Sequence, residues 1–199
     1  QKAKTIAASI VAEESVSFLC EEGITGKIPE ELSADVDKAK RHVVVSPYIL
    51  KETEDSLHLI PRAFILGIGC KKGKTSEDIE NAVLEVLGEK NISIYSIHEV
   101  ASIDLKCEEK GLLDFCRTYD FPVSFYSAEE LLEVPGEYEE SSFVQQITGV
   151  DNVCERAAMR KAMEEDTKID KEKNMIIRKV KKEGITIALI KRKWGVTFE

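Results

Sequence analysis

The sequence predicts an α/β fold: a mixed, mostly parallel sheet with helices on both faces, preceded by a small α/β segment. Two observations support this fold class. From residue 61 onward, short apolar runs alternate with stretches of helical spacing, which is typical of βαβ units. Further along, two apolar runs are separated by the short polar segment Lys182–Gly184, which predicts an antiparallel hairpin at the end of the sheet.

Residues 1–60 make up the small segment, and we predict a domain boundary near residue 60. A segment of this length is too small to bury a large core alone. The spacing of its apolar residues predicts these elements in order: a helix over 3–12, a strand at Val16–Cys20, a helical turn from Pro29 to Leu32, and strands at Val43–Val45 and Leu57–Ile60.

Residues 61–199 are predicted to form the larger second domain. Thr75 and Ser127 each stand where a helix should begin, with an acidic residue at the N3 position, which is the spacing of a capping box. The predicted elements are, in order, strand Phe64–Gly67, a helix from Thr75 to Gly88, a strand through Ile92–Ile97, helix Leu105–Tyr119, strand Val123–Tyr126, a short helix through Leu132, a helix over Val150–Lys161, and strands Met175–Ile177 and Ile185–Ile190.

The clearest functional signal is the glycine- and lysine-rich segment Gly67–Thr75, which follows the apolar run Ala63–Leu66. Glycines allow backbone N–H groups to approach a ligand closely. The helix that follows presents its positive end to the same place. We therefore predict an anion-binding loop between this strand and its helix.

Two nucleotide-binding motifs come close to this segment, and neither is complete. A P-loop requires G-x-x-x-x-G-K-[ST]; Gly73-Lys74-Thr75 supplies the end, but Ile68 stands where the first glycine belongs. A dinucleotide fingerprint requires G-x-G-x-x-G; Gly67 and Gly69 fit, but the third glycine arrives one residue late. A general anion-binding turn is compatible with the same residues.

A second polar stretch, Ala101–Lys106, follows the next predicted strand. Loops at the carboxyl ends of parallel strands line one crevice, so Ser102, Asp104 and Lys106 are predicted to face the same cleft as the first loop. His98, which we place at the end of that strand, is a candidate base. The alternative is that Ser102 or Asp104 caps the following helix and that His98 is an ordinary surface residue.

The charge balance limits the partners. The formal net charge is −9, which argues against general nucleic-acid binding because that requires a basic surface. Basic residues nevertheless cluster at 71–74, 178–182 and 191–193, which would suit a small polyanion, with solvated surface lysines as the alternative. No apolar run is long enough for a transmembrane helix. No signal peptide is recognisable, and the start at Gln1 indicates a piece of a longer protein.

The five cysteines indicate a reducing compartment. Their number is odd and no pair has Cys-x-x-Cys spacing, so free thiols in the cytoplasm fit better than disulfides or a zinc site. Cys116 and Cys154 lie on apolar helix faces and are expected in the core. Cys70 lies beside lysines and a helix N-terminus, where a thiolate would be favoured. It is either a nucleophile or a small residue that fits a tight loop.

Three stretches together resemble the signatures of one family. They are Leu66–Gly73, preceded by Pro61-Arg62; Ala101–Lys106, with Glu109 and Gly111-Leu112; and Gly149-Val150, followed by Val153, Glu155, Ala157 and Ala158. The family is CbiG, the cobalt-precorrin-5A hydrolases of anaerobic cobalamin biosynthesis, whose carboxy-terminal domain is shared with CobE of the aerobic route. The resemblance covers residues 61–190, and residues 1–60 resemble the middle segment of the family.

The resemblance implies the hydrolysis of a δ-lactone on ring A of a cobalt macrocycle, with release of acetaldehyde to give cobalt-precorrin-5B. The cobalt would arrive within the substrate, so neither a cofactor nor a protein metal site is expected. Asp104, Glu109 and His98 are the candidates for the base that activates water. The loop after Gly67 and Lys106 suit the donors and cations that an oxyanion and the carboxylates of this anionic substrate require. The residues expected to bind the substrate are Gly67, Gly69, Cys70, Lys71, Lys72, Gly73, Thr75, Ser102, Lys106 and Glu155.

Two departures from the family pattern bear on this expectation. Lys71 and Lys72 replace the arginines of the first signature, and Cys154 stands where the family has alanine. The family's amino-terminal domain has no counterpart here, so the chain alone would be inactive if catalysis needs that domain. A non-catalytic corrinoid carrier like CobE and an unrelated nucleotide-binding module stay open as alternatives. Other enzymes of the cobalamin pathway are the candidate protein partners, and neither nucleic acid nor a membrane is expected.

Overall fold

The computed structural model describes residues 1–139 and 142–199, and these residues form two compact units. The first unit contains Gln1–Arg62 together with Asn91–Ser96 and Trp194–Glu199. The second contains Ala63–Lys90 and Ile97–Lys193. The boundary near residue 60 drawn from the sequence lies close to Arg62, but two short segments assigned to the second domain by that boundary join the first unit.

Helices and strands alternate from residue 64 to residue 132, whereas strands follow one another before this stretch and helices after it. The helices are α1 (Lys2–Val11), α2 (Ser76–Gly88), α3 (Lys110–Thr118), α4 (Ala128–Leu132), α5 (Ser142–Thr148), α6 (Val153–Glu165) and α7 (Lys171–Asn174). The strands are β1 (Val16–Cys20), β2 (Ile24–Thr25), β3 (Leu32–Ser33), β4 (Arg41–Val45), β5 (Ser56–Leu59), β6 (Phe64–Cys70), β7 (Ile97–Ile103), β8 (Val123–Tyr126), β9 (Met175–Lys182), β10 (Ile185–Lys191) and β11 (Val196–Thr197). Among the described residues, no helix combines the length and the apolar character needed to cross a bilayer.

The first unit is built on a parallel sheet with the strand order β3-β1-β4-β5. One face of this sheet carries Val16, Phe18, Val43 and Val45, which form a core with Ile6 of α1. The predicted turn from Pro29 to Leu32 is present as a single hydrogen-bonded turn. The amide of Leu32 donates to the carbonyl of Pro29 at 3.0 Å, and the chain then enters β3 because its backbone pairs with β1.

The second unit confirms the predicted mixed α/β fold. Its sheet has the order β8-β7-β6-β10-β9, in which β8, β7 and β6 run parallel. Strand β10 pairs antiparallel with β6 and with β9. The predicted hairpin is therefore present, and Glu183 and Gly184 form its turn with φ angles of 47° and 83°. Two positive φ angles in a row are typical of the tight turns that match strand twist.

Two strands run further than the sequence indicated. The prediction ended β6 at Gly67, but it continues to Cys70 because β10 pairs with every residue of it. The prediction also placed β7 too early, since it begins at Ile97 and absorbs residues 101–103, while Ile94–Ser96 is a 3₁₀ turn. The following helix, α3, begins at Lys110 rather than Leu105, after a 3₁₀ turn at Asp104–Lys106. The short helices α5 and α7 were not predicted.

Helix α6 packs on one face of the sheet at unusually close range. It lies against β6, β7 and β10, and a Cβ atom built on Gly67 would overlap the carbonyl oxygen of Cys154. Ala101, Ala157 and Ala158 are fully buried in the same cluster. Small side chains on both surfaces allow the helix backbone to approach the strand backbone, and the gap is filled at crystal-like density.

The other face of the sheet carries the alternate residues of β6. Phe64, Leu66 and Ile68 are fully buried there. Helices α2 and α3 pack against each other, and Ile79 of α2 and Leu112 of α3 are fully buried in this second layer. Both faces of the central strands are therefore covered, as expected for a sheet with a parallel core.

Replacing Gly67 with alanine should destabilise the second unit. The new methyl group would meet the carbonyl oxygen of Cys154, and overpacking of this kind costs about 1–3 kcal/mol, sometimes more. Gly88→Ala is the matched control, because no atom of the described residues beyond its own helix and chain neighbours lies within 4 Å of a Cβ there. Urea unfolding of both variants measures the difference. If Gly67→Ala and the parent had the same free energy of unfolding, α6 could move away from β6 without loss of stability, which would contradict this expectation.

Candidate functional site

The candidate site lies where the parallel strands β6, β7 and β8 end. Because β10 begins beside Cys70, the β9–β10 turn reaches the same side of the sheet. We call the segments Cys70–Thr75, Asp104–Lys106, Glu109–Gly111 and Glu183–Gly184 the carboxyl edge. Loops at this end of a parallel sheet are the usual place for ligands in α/β domains.

The segment after β6 is held at both ends. The amide of Lys71 donates to the carbonyl of Gly184 at 2.9 Å, so that the pairing of β6 with β10 extends by one bond. Thr75 caps α2: its hydroxyl accepts from the amide of Asp78, and the Asp78 carboxylate accepts from the Thr75 amide. This capping box confirms the sequence prediction. Between these anchors, Gly73 has a φ of 83°, which L-amino acids rarely adopt.

Glu109 ties the second loop to the first. One of its carboxylate oxygens accepts the Gly73 amide at 2.8 Å, and the other lies 3.3 Å from the Lys106 ammonium. The hydrogen bond from Gly73 is the main reason that the pKa of Glu109 lies below its usual value, and the neighbouring Lys106 lowers it further. Next to it, a Cβ on Gly111 would overlap the carbonyl of Lys74. The two signature loops are therefore packed against each other.

Positive charge at the carboxyl edge is only partly neutralised. Lys74 pairs with Asp78 at 3.6 Å, and Lys106 pairs with Glu109. Lys71 and Lys72 are exposed and form no salt bridge with any residue that the structure describes. Asp104 is exposed as well, and its carboxylate has no hydrogen-bond or ion-pair partner within residues 1–139 and 142–199. The edge thus presents two available cations and one available carboxylate.

Cys70 lies at the end of β6 and is partly buried, and the expected thiolate is not favoured there. Burial raises the pKa of its thiol above the usual value, and the carboxylate of Glu109 adds to the rise. The cations of Lys106 and Lys74 oppose this effect but do not outweigh it. The two cysteines expected in the core behave as predicted: Cys116 and Cys154 are buried, and burial raises the pKa of each thiol to about 12.

Three residues predicted to contact the substrate lie inside the sheet rather than in a loop. Gly67 and Gly69 are strand residues, and their missing side chains make room for Cys154 of α6 and for the Thr186 hydroxyl of β10. Ser102 is fully buried, and its hydroxyl donates to the carbonyl of Ile68 at 2.7 Å. These three residues contribute to the packing of the strands that lead to the carboxyl edge, and they do not line its exposed surface.

His98 was predicted to close the second strand, and this placement is wrong. It is the second residue of β7, so it lies at the opposite end of the strand, roughly 16 Å from the carboxyl edge. Its Nε2 atom is 3.4 Å from Glu165. Burial is the main reason that its pKa is lowered, and the nearby cation of Arg192 acts in the same direction.

The surroundings of His98 contain a group of potential metal ligands. Its ring nitrogen and the carboxylates of Glu99 and Glu165 lie within 4.8 Å of one another. Lysine and arginine side chains already neutralise both carboxylates, since Lys161 lies 3.1 Å from Glu99 and Arg192 lies 2.5 Å from Glu165. This charge balance is typical of a structural ion-pair network at the far end of the sheet.

Glu155 has a structural position as well. It is 2% exposed near the start of α6. Strand β9 has an extra residue opposite Ala188, and Glu155 accepts the Lys179 amide that this bulge frees, at 2.7 Å. Its second oxygen lies 3.4 Å from Lys171. A bulge leaves a backbone donor without a ladder partner, and the buried carboxylate supplies one.

Of the predicted site residues, the structure therefore brings one group together at the carboxyl edge: Cys70, Lys71, Lys72, Gly73, Thr75, Asp104, Lys106 and Glu109. Sequence reasoning assigned no site role to two contributors to this edge, Gly184 and Gly111. Both are glycines that permit close contact, with the Lys71 side chain and the Lys74 carbonyl respectively. The available signals were the place of Gly184 in the predicted hairpin turn and the place of Gly111 at the start of a helix.

These features define the class of protein: an α/β domain that presents lysines on the loops at the carboxyl ends of parallel strands. A sequence model of the family described as "Cobalamin synthesis G C-terminus" matches residues 64–190, which is more than half of the chain. The chain therefore belongs to this family of cobalamin biosynthesis proteins, as its signatures indicated.

Named relatives share this segment. The probable cobalt-precorrin-5A hydrolase of Methanocaldococcus jannaschii is 28% identical over 138 residues, covering 68% of this chain and 43% of that protein. The cobalt-precorrin-5A hydrolase of Priestia megaterium is 32% identical over 99 residues, covering 50% and 26% respectively. The crystal structure of CobE, from the cobalamin pathway, superposes with a TM-score of 0.59 at 28% identity, covering 65% of this chain and 90% of CobE. The chain thus spans less than half of the length of these hydrolases.

The contribution of His98 to stability should depend on pH. Its pKa is lower in the folded protein than the ordinary 6.5, so the unfolded chain takes up a proton first as the pH falls. The stability that His98 contributes is therefore present well above the ordinary pKa of 6.5, and it is lost as the pH falls below that value towards the lowered pKa of the folded protein. The difference in unfolding free energy between the parent and His98→Gln should shrink over that range. A difference that stays constant with pH would contradict this expectation.

Proposed function

We propose that the second unit binds an anionic cobalt-corrinoid intermediate at the carboxyl edge and takes part in the hydrolysis of cobalt-precorrin-5A. In this reaction the ring-A δ-lactone opens and acetaldehyde is released to give cobalt-precorrin-5B. The observation that carries the proposal is a pair of exposed lysines beside the Gly73 turn, Lys71 and Lys72, which form no salt bridge with any described residue. Membership of the cobalamin synthesis family supplies the class of ligand.

Each part of the edge would have a distinct task in this reaction. Lys71 and Lys72 would pair with carboxylates on the rim of the macrocycle. Asp104, which is exposed and without a partner among the described residues, would accept the proton of the attacking water. Glu109 and His98 are weaker candidates for this base, because Glu109 is already engaged with Gly73 and His98 lies at the other end of β7.

The chemistry needs one base and no redox partner. Water adds to the lactone carbonyl, the ring oxygen leaves with the electron pair of the broken carbon–oxygen bond, and a carboxylate remains. The freed hydroxyl then loses its proton as the carbon–carbon bond to the macrocycle breaks, so that acetaldehyde departs and the electron pair stays on the macrocycle. The cobalt belongs to the substrate in this scheme. A cytoplasmic location is part of the proposal, and the five free thiols support it.

A non-catalytic carrier of corrinoid intermediates is the second candidate. The superposition with CobE covers 90% of that protein, whereas the matched parts of the two hydrolases are at most 43% of their length. In that case the same lysines would hold the ligand, and the reacting groups would belong to another domain or to another enzyme of the pathway.

Anaerobic incubation of the chain with cobalt-precorrin-5A should distinguish these functions. Release of acetaldehyde together with a change in the absorption spectrum would support hydrolysis. In that case Asp104→Asn should lower kcat by about 100-fold or more with little change in KM, as for the loss of a general base. Glu108→Gln is the control, because it removes a neighbouring exposed charge. Unchanged turnover by Asp104→Asn would remove Asp104 from the mechanism.

Binding should depend on the two exposed lysines in either function. The double variant Lys71→Gln/Lys72→Gln should bind the corrinoid at least about tenfold more weakly and with a shallower salt dependence, since it loses two cationic contacts. Lys168→Gln is an exposed control that lies away from the carboxyl edge. A spectroscopic titration at two salt concentrations measures both effects. An unchanged affinity of the double variant would place the ligand elsewhere.

A further inference from the structure

Glu109 occupies a position that is built for an anion. Its carboxylate receives one backbone N–H, from Gly73, and lies against one ammonium group, that of Lys106. Both side chains are largely buried, with 12% of Glu109 and 16% of Lys106 exposed. A carboxylate between a loop N–H group and a lysine is the arrangement that a bound ligand carboxylate would adopt.

The side chain of Glu109 does not serve its own helix. Glu109 is the N-cap residue of α3, but its carboxylate accepts no hydrogen bond from the first turn of that helix. It reaches instead to Gly73, which belongs to the preceding loop. Apart from its chain neighbours, no atom of the described residues lies within 4 Å of a Cβ position on Gly73. That side of the Gly73 turn is therefore open.

The lysines of the carboxyl edge differ in exposure and in whether their charge is already paired. Lys71 and Lys72 are exposed and have no salt bridge to a described residue, whereas Lys106 is paired with Glu109 and shielded. Lys72 also acts on the Glu109 carboxylate electrostatically. An arriving polyanion would meet the exposed lysines first, and the paired lysine would become accessible only if Glu109 moved away.

We propose that Glu109 is an internal substitute for a ligand carboxylate: one carboxylate of the ligand displaces it from Gly73 and Lys106 while others pair with Lys71 and Lys72. This inference rests on the proposed function of the carboxyl edge. The exchange replaces one carboxylate by another, so it yields little binding energy by itself. The net affinity then comes from the additional contacts at the exposed lysines. The site therefore selects ligands with several carboxylates over ligands with one.

The test compares two neighbouring substitutions that remove the same charge. Glu109→Gln keeps the size of the side chain but makes it a weaker partner for Lys106, so the affinity for a polycarboxylate macrocycle should rise about tenfold. Glu108→Gln, at an exposed position that contacts neither Gly73 nor Lys106, should change it less than about twofold. The probe is uroporphyrin I, titrated by its fluorescence, with acetate as the monocarboxylate for comparison.

The outcomes separate this inference from the proposed function. A rise in affinity for Glu109→Gln alone supports the displacement. A fall, or an equal rise in both variants, overturns it, because Glu109 would then only position the loop or act through general electrostatics. If Lys71→Gln/Lys72→Gln also abolishes binding of the probe, the proposed binding edge stands even where the displacement fails. Absence of probe binding to every protein would overturn both.

A second measurement uses the unmodified protein and does not depend on how the variants fold. Carbon-13 NMR of the Glu109 carboxyl group and the amide signal of Gly73 report whether the two groups remain joined. On saturation with uroporphyrin I, displacement should move both signals and return the Glu109 carboxyl pKa towards its ordinary value. Saturation with both signals unchanged would show that Glu109 stays in place and would overturn the inference.

Discussion

The close contact between α6 and β6 is the constraint on which the second unit depends. Because the carbonyl of Cys154 fills the place where a side chain of residue 67 would be, only glycine allows the helix to reach the strand. That approach buries the small side chains of Ala157 and Ala158 and holds β6 at the centre of the sheet. The strand therefore leaves the core at Cys70 in a fixed direction, and the lysines that follow are placed by this packing.

Interlocking of the two signature loops then fixes the site itself. Glu109 accepts a hydrogen bond from Gly73, and Gly111 lies against the carbonyl of Lys74, so the two loops are packed directly against each other. This coupling explains why residues separated along the chain form one edge. It also leaves Lys71 and Lys72 without salt bridges among the described residues, which concentrates the available positive charge of an acidic chain where the parallel strands end.

The opposite end of the sheet has the reverse character. There the carboxylates of Glu99 and Glu165 are neutralised by Lys161 and Arg192, and His98 is kept largely neutral by burial. Paired charges of this kind hold helix and sheet together and leave little net charge for a ligand. The contrast between the two ends supports the carboxyl edge as the place of function, and it is compatible with hydrolysis and with ligand transport alike.

The sequence by itself determined the fold class, the hairpin, the capping boxes at Thr75 and Ser127 and the family, because these depend on local patterns and motif order. Only the tertiary structure decided the tasks of individual residues. Gly69 and Cys70 had the composition of a loop, but pairing with β10 made them strand residues. His98 was misplaced because the pairing of β7 with β8 extends β7 to Ile103. These positions depend on strand pairing between residues that are distant in the sequence, and no local sequence pattern predicts that pairing.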